Sequence, residues 1–205
     1  MPKQITLTAE PFVPADHHLP VLAKAVRECK GCDLYRHATQ AVFGEGPSKA
    51  RIMFVGEQPG DQEDLQGRPF VGPAGQLWNR ALDEARVDRS EVYVTNAVKH
   101  FKFEERGKRR IHQKPGTVEV TACRPWLNAE IDEVNPRIIV ALGATAALSV
   151  GGRAYAIQKE RGHLLTIPGN RQFLVTVHPS FILRVHEADR HAEFARFVDD
   201  LRLLA

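Results

Sequence analysis

Short apolar runs and longer stretches of helical spacing take turns from Arg51 to the C-terminus, and this alternation constrains the fold more than any single motif does. "RIMFV" (51–55), "EVYVTNAV" (91–98) and "RIIVALG" (137–143) read as strands. Runs this apolar suit strands covered on both faces. Between them, "AGQLWNRALDEAR" (74–86) and "TVEVTACRPWLNAEIDEV" (117–134) carry apolar residues at the spacing of one helix face. "ATAALSV" (144–150) adds a short helix, "HLLTI" and "QFLVTVHP" form a strand pair around "PGN", and a last helix runs near 187–204. Strands joined through helices predict an α/β fold, a three-layer α/β/α sandwich with a central, mostly parallel sheet. Neither an internal repeat nor a low-complexity tract interrupts the pattern.

With 205 residues, 43% of them hydrophobic, the chain can bury a substantial core, and its length suits one domain over 1–205 with a polar lead-in over 1–18. No segment reaches the roughly 18 unbroken apolar residues of a bilayer span. The opening "MPKQITLTAEPFVPADHH" contains no apolar signal core. The expectation is a cytoplasmic, monomeric protein with no membrane partner.

Net charge is +3, yet residues 99–114 hold seven cations (Lys99, Lys102, Arg106, Lys108, Arg109, Arg110 and Lys114) against Glu104 and Glu105. That segment is +5, so the remainder sums to −2. Local basic charge on a nearly neutral body suits a phosphate-facing site, because each neutralised phosphate releases condensed counterions. A solvated basic loop or targeting run has the same composition, and charge alone leaves both readings open. Within the segment, "GKRRIHQKP" (107–115) leads through three cations to His112, between a glycine and a proline that both resist regular structure.

Three cysteines, without a secretory signal, argue against a disulfide framework. Cys29 and Cys32 form "CKGC", a spacing that lets two thiolates grip one metal centre. A thioredoxin-like redox pair would open a helix directly after a strand. Here "LPVLAKAVRECKGC" reads as a helix running into the pair, which favours ligation.

Three polar signals fall where an α/β sheet places its ligands, beyond the carboxyl ends of the strands. "GEQPGDQED" follows the first strand, Asn96 ends the second, and His178 follows the last in "TVHPS". Each alone reads equally well as a turn or cap residue. Their shared position is what marks a site.

Taken together, "GEQPG" with "GRPFVGPAG", "VTNAVKH", "ACRPWL" and "TVHPS" resemble the iron–sulfur uracil-DNA glycosylases of family four, from about Cys29 to the C-terminal helix. "KRRIH" resembles the insertion that marks the X-type branch, the UdgX proteins, which attach covalently to uracil-containing DNA. The resemblance implies a uracil-DNA glycosylase-like fold and a 4Fe–4S cluster. It also implies uracil-bearing DNA as substrate, with single strands favoured because no unpairing is then needed. Family four implies four cluster cysteines, but "VKHFKF" puts His100 where one is expected; the X-type relatives are similar here, which implies Cys29, Cys32, His100 and Cys123 as ligands. A Cys₃His set also fits tetrahedral zinc, the less favoured metal. With His100 and Cys123 both ligating, residues 101–122 would be a loop tied at its ends and restraining His112.

The resemblance also implies roles at the site. A flipped base is read by stacking and by hydrogen bonds to its pairing edge. Phe70 would supply the stacking face, and Asn96 would donate to uracil O4 and accept from N3–H, a pattern that cytosine opposes. His178 would donate to O2 of the departing uracil. Glu57, with Gln58 and Asp61 beside it, would face the sugar and stabilise its cationic character. His112 would be the nucleophile, held by a loop that Lys108, Arg109 and Arg110 dock on phosphate and keep unprotonated, with Arg110 pinning that loop to the body. Without the X-type feature, His112 becomes a phosphate contact and water the nucleophile. A metal-stabilised nucleic-acid-binding module without catalysis is the reading from another class.

Overall fold

The computed structural model describes residues 7–205. The helices are α1 (Leu19–Ala25), α2 (Asp61–Gln66), α3 (Pro73–Ala85), α4 (Thr117–Val134), α5 (Ala144–Gly151), α6 (Ile157–Glu160), α7 (Pro179–Arg184) and α8 (Glu187–Arg202). The strands are β1 (Ile52–Gly56), β2 (Val92–Asn96), β3 (Phe103–Arg106), β4 (Arg109–His112), β5 (Ile138–Leu142), β6 (Leu164–Ile167) and β7 (Arg171–Thr176).

Five strands form one sheet in the order β2-β1-β5-β7-β6, parallel except for the β6 edge. Alternate residues of each central strand face opposite layers, as the period of a strand requires. Phe54, Val94 and Val140 pack with Trp78 of α3, Ile182 of α7 and Phe197 of α8; Met53, Tyr93 and Phe173 pack on the other side with Leu127 of α4 and Ala146 of α5. Each such large side chain, fully buried, contributes roughly 1.5–3 kcal/mol. The result is the expected three-layer α/β/α sandwich. Among the described residues, no helix is long and apolar enough to cross a membrane.

The chain leaves β1 for β2 on one side and returns to β5 on the other. The strand order therefore reverses between β1 and β5, where open α/β sheets leave a crevice at their carboxyl ends.

Two departures from the sequence reading matter. Residues 103–112 are not loop but an antiparallel hairpin, β3 pairing with β4 so that Phe103 faces His112 and Arg106 faces Arg109. Gly107 turns the chain with φ of +62°, a conformation that favours glycine. Its strands, "FEER" and "RRIH", lack the alternation of a buried face, so periodicity does not reveal them. The second departure is the N-terminal lead-in, whose first six residues lie outside the described residues. Beyond them the segment belongs to the body: Ala9 is buried and its N–H donates to the Ala122 carbonyl of α4 at 2.8 Å.

Candidate active site

A cavity of about 600 Å³ opens at the carboxyl ends of the parallel strands. Six of the residues singled out from sequence line it: Glu57 and Gln58 after β1, Phe70, Asn96 at the end of β2, His112 at the end of β4, and His178 after β7. Asp61, Lys108, Arg109 and Arg110 do not. Lys114, the last cation of the basic segment, lines the cavity as well, as do Thr145 and Arg184, which nothing in their sequence neighbourhoods marks.

Backbone geometry assembles the floor. A Cβ on Gly56 would lie 2.3 Å from Asn96 Oδ1 and 2.9 Å from Phe70 Cζ, so only glycine there lets the carboxamide and the ring meet. Phe70 has φ of +56°, costly for a bulky residue by about 1–3 kcal/mol. The surroundings enforce it: its ring centroid lies 5.2 Å from that of Trp78, and a Cβ on Gly75 would meet its carbonyl oxygen at 1.7 Å. Its other neighbour is the His178 ring, centroid to centroid 6.0 Å.

A carboxylate and an imidazole face one another across the cavity. The Thr145 hydroxyl donates to Glu57 Oε2, and Glu57 Oε1 lies 3.5 Å from His112 Nε2. The His112 side chain is 48% exposed. Partial burial lowers its pKa below the ordinary 6.5, Glu57 opposes this, and Arg184 adds to the lowering. The sequence reading gave that task to Lys108, Arg109 and Arg110. Lys108 and Arg109 are instead exposed at the hairpin tip, and carboxylates neutralise Arg110. For His178, burial first and then Arg184 and His112 push the pKa down to about 4. Its Nδ1 accepts the Ser180 N–H at 3.2 Å, so the neutral ring carries its proton on Nε2 as a donor.

The hairpin is fastened at its base. Gln58 Nε2 donates to the carbonyls of Lys102 (3.1 Å) and Gln113 (3.0 Å), while its Oε1 accepts the Lys102 N–H. Side chains two apart on a strand share a face. Accordingly Arg110 turns inward with His112, its guanidinium 5.5 Å from the Phe101 ring centroid, where it bonds Asp61 and Asp64, each at 2.6 Å. Asp61 is thus a hairpin anchor rather than part of the cavity wall, correcting its expected place beside Glu57 at the sugar. Arg110→Ala strips a buried carboxylate of its cation; among the described residues Asp64 then retains only the Thr39 N–H. We expect a loss of about 2–4 kcal/mol and faster amide exchange across 103–112, read by hydrogen exchange. Unchanged protection would show that the hairpin is held otherwise.

Residues 43–202 match the family described as the uracil DNA glycosylase superfamily. A type-4 uracil-DNA glycosylase of Thermotoga maritima is 39% identical over 181 residues, 88% of each chain. Two others with that description are similar. That of Pyrobaculum aerophilum is 38% identical over 173 residues (81% of this chain, 85% of the relative), and that of Sulfurisphaera tokodaii is 36% identical over 180 (80% and 76%). The chain belongs to the uracil-DNA glycosylase superfamily.

This superfamily member also carries a compact cysteine region behind the cavity. Cys29 and Cys32, reached from α1 through a short 3-10 turn, pack with Cys123 of α4 in one buried cluster with Val98, Val120 and Trp126. N–H groups already point at sulfur: Trp126 Nε1 lies 3.2 Å from Cys29 Sγ, and the Lys99 N–H lies 3.3 Å from Cys123 Sγ. Such donors suit thiolates, and a convergent set of buried thiols with N–H partners fits an iron–sulfur cluster. His100, the fourth expected ligand, is buried directly after Lys99. Among the described residues, no three His, Cys, Asp or Glu side chains are grouped closely enough to hold a single metal ion.

Proposed function

We propose that this protein excises uracil from DNA and remains joined to the abasic sugar through His112, as an X-type glycosylase acting once. The observation that carries the reading is the 3.5 Å approach of His112 Nε2 to Glu57 Oε1 at the wall of the cavity that Phe70, Asn96 and His178 also line.

Uracil enters flipped from its strand, stacks on Phe70 and meets the Asn96 carboxamide along its pairing edge. Cytosine would set its amino donor against the Asn96 donor, leaving buried polar groups unpaired. As C1′–N1 breaks, its electron pair goes to the uracil ring, and His178 Nε2–H donates to O2, where negative charge develops. Glu57 faces the cationic sugar, oriented by Thr145. The His112 Nε2 lone pair then forms the bond to C1′. Loss of the ring's other N–H proton leaves a neutral N-alkylimidazole and balances the proton that uracil takes up. Such a linkage lacks the easy hydrolysis of an acyl or imine adduct, so the product persists and the protein is consumed.

Lys114 and Arg184 at the rim, which form no ion pair among the described residues, and Lys108 and Arg109 on the hairpin tip would receive phosphates. A single strand, already unpaired, is the favoured substrate, bound by one monomer of one domain. Cys29, Cys32, His100 and Cys123 would hold a 4Fe–4S cluster that contributes rigidity behind β2 and α4; metal analysis finding zinc and no iron would contradict this. Measured uracil release should plateau at about one per protein chain. Continued release beyond that would favour the hydrolytic reading, in which water replaces His112.

The lowered pKa of His112 sets the pH response. The nucleophile must be unprotonated, and its folded pKa lies below 6.5. The single-turnover rate of adduct formation should therefore fall as pH drops, with its half-loss below pH 6.5. A half-loss above pH 6.5 would contradict the environment described.

A further inference from the structure

Lys99 and Glu130 are both fully buried, at 0% exposure, and form an ion pair with each other beneath the cavity. Every donor is used. The Lys99 ammonium donates to Glu130 Oε2, to Thr95 Oγ1 at 2.7 Å and to the Asn96 carbonyl at 2.9 Å, which exhausts its three protons. Glu130 also accepts from the Tyr93 hydroxyl at 2.8 Å, from Thr95 Oγ1 at 2.9 Å and from the Gly44 N–H at 3.1 Å. The fit leaves no spare room: a Cβ on Gly44 would lie 2.4 Å from Glu130 Oε1 and 2.3 Å from the Tyr93 oxygen.

The pair is sited on the turn that follows Asn96. There Ala97 N–H donates to the Gly56 carbonyl at 2.9 Å, Val98 N–H to the Glu57 carbonyl at 3.0 Å, and Lys99 N–H to Cys123 Sγ. Thus one side chain, Lys99, ties the end of β2 to α4 and fixes the peptide plane beyond Asn96. Buried ion pairs are often replaceable by neutral groups with no loss of stability, so stability alone does not account for one so completely satisfied.

We infer that Lys99 and Glu130 are positioning residues that hold Asn96 in the orientation that reads the base. The inference rests on the assignment of Asn96 as the base-reading residue. A misplacement of about 1 Å costs on the order of 100-fold in rate without altering the remaining contacts.

The test compares Asn96→Ala with the neutral double variant Lys99→Met/Glu130→Gln, whose amide keeps an acceptor for Tyr93, Thr95 and Gly44. Three quantities are read on the iron-loaded protein: inhibition by free uracil, the single-turnover excision rate, and the DNA concentration giving half that rate. The double variant should melt as the parent does, bind uracil about tenfold more weakly and excise on the order of 100-fold more slowly, with unchanged DNA dependence. If Asn96→Ala leaves uracil affinity intact, the base-reading assignment fails. If Asn96→Ala weakens it and the double variant does not, the positioning inference fails. Should the double variant not fold, Thr95→Val removes one Lys99 acceptor without changing charge. A weakening of about threefold is then expected, and none overturns the inference.

Discussion

Replacing His112 with serine is expected to abolish the DNA adduct and to convert a one-turnover protein into a recycling glycosylase. A serine hydroxyl stays protonated at neutral pH and is shorter than imidazole, so it cannot reach C1′ as a nucleophile and leaves space for water. Phe70, Asn96, His178 and Glu57 stay in place because the hairpin is fastened through Arg110 and Gln58, not through His112. Adduct yield should fall from near-complete to undetectable while uracil release rises to about ten or more per chain. Retention of adduct in His112→Ser would assign the linkage to another residue.

Glu57→Gln should lower the excision rate by about 10²–10³-fold, the usual loss when one preorganised electrostatic group at a reacting centre is removed. Glutamine keeps the length of the side chain and an oxygen to accept the Thr145 hydroxyl, so the change is one of charge rather than shape. In the proposed mechanism the negative carboxylate would serve the sugar cation before His112 reaches it and the imidazolium afterwards. Both excision and capture should therefore slow together, measured by single-turnover uracil release and by adduct formation. An unchanged rate would remove Glu57 from the chemistry and leave it as a hairpin neighbour.

The layers of this fold were legible in the sequence because strands buried on both faces write themselves as apolar runs. Helix α4 is the clearest case, its 117–134 span readable despite Pro125 within it. Much of the cavity was legible for a related reason: Glu57, Asn96 and His178 each follow a recognisable strand, and a parallel sheet gathers such positions at one edge. What stayed hidden depends on distant contacts. The β3–β4 hairpin exposes mostly charged residues, so no periodic face announces it. Arg110 read both as a phosphate-docking partner of Lys108 and Arg109 and as the pin of its loop; the pleat turns it inward to Asp61 and Asp64, as a pin, while the other two remain in solvent. Arg184, which acts on both cavity histidines, lies on a short helix late in the chain and offers no local signal. The Lys99–Glu130 pair joins residues far apart in sequence, and in sequence Lys99 reads only as one more cation in a basic segment.

The most direct measurement mixes the protein with a labelled single-stranded oligonucleotide containing one uracil, heats the mixture in SDS and resolves it on a denaturing gel. A slow band that survives heating, is absent with thymine and disappears in His112→Ser is the predicted result. No slow band, with strand scission after alkali, would contradict covalent capture and leave a hydrolytic uracil-DNA glycosylase.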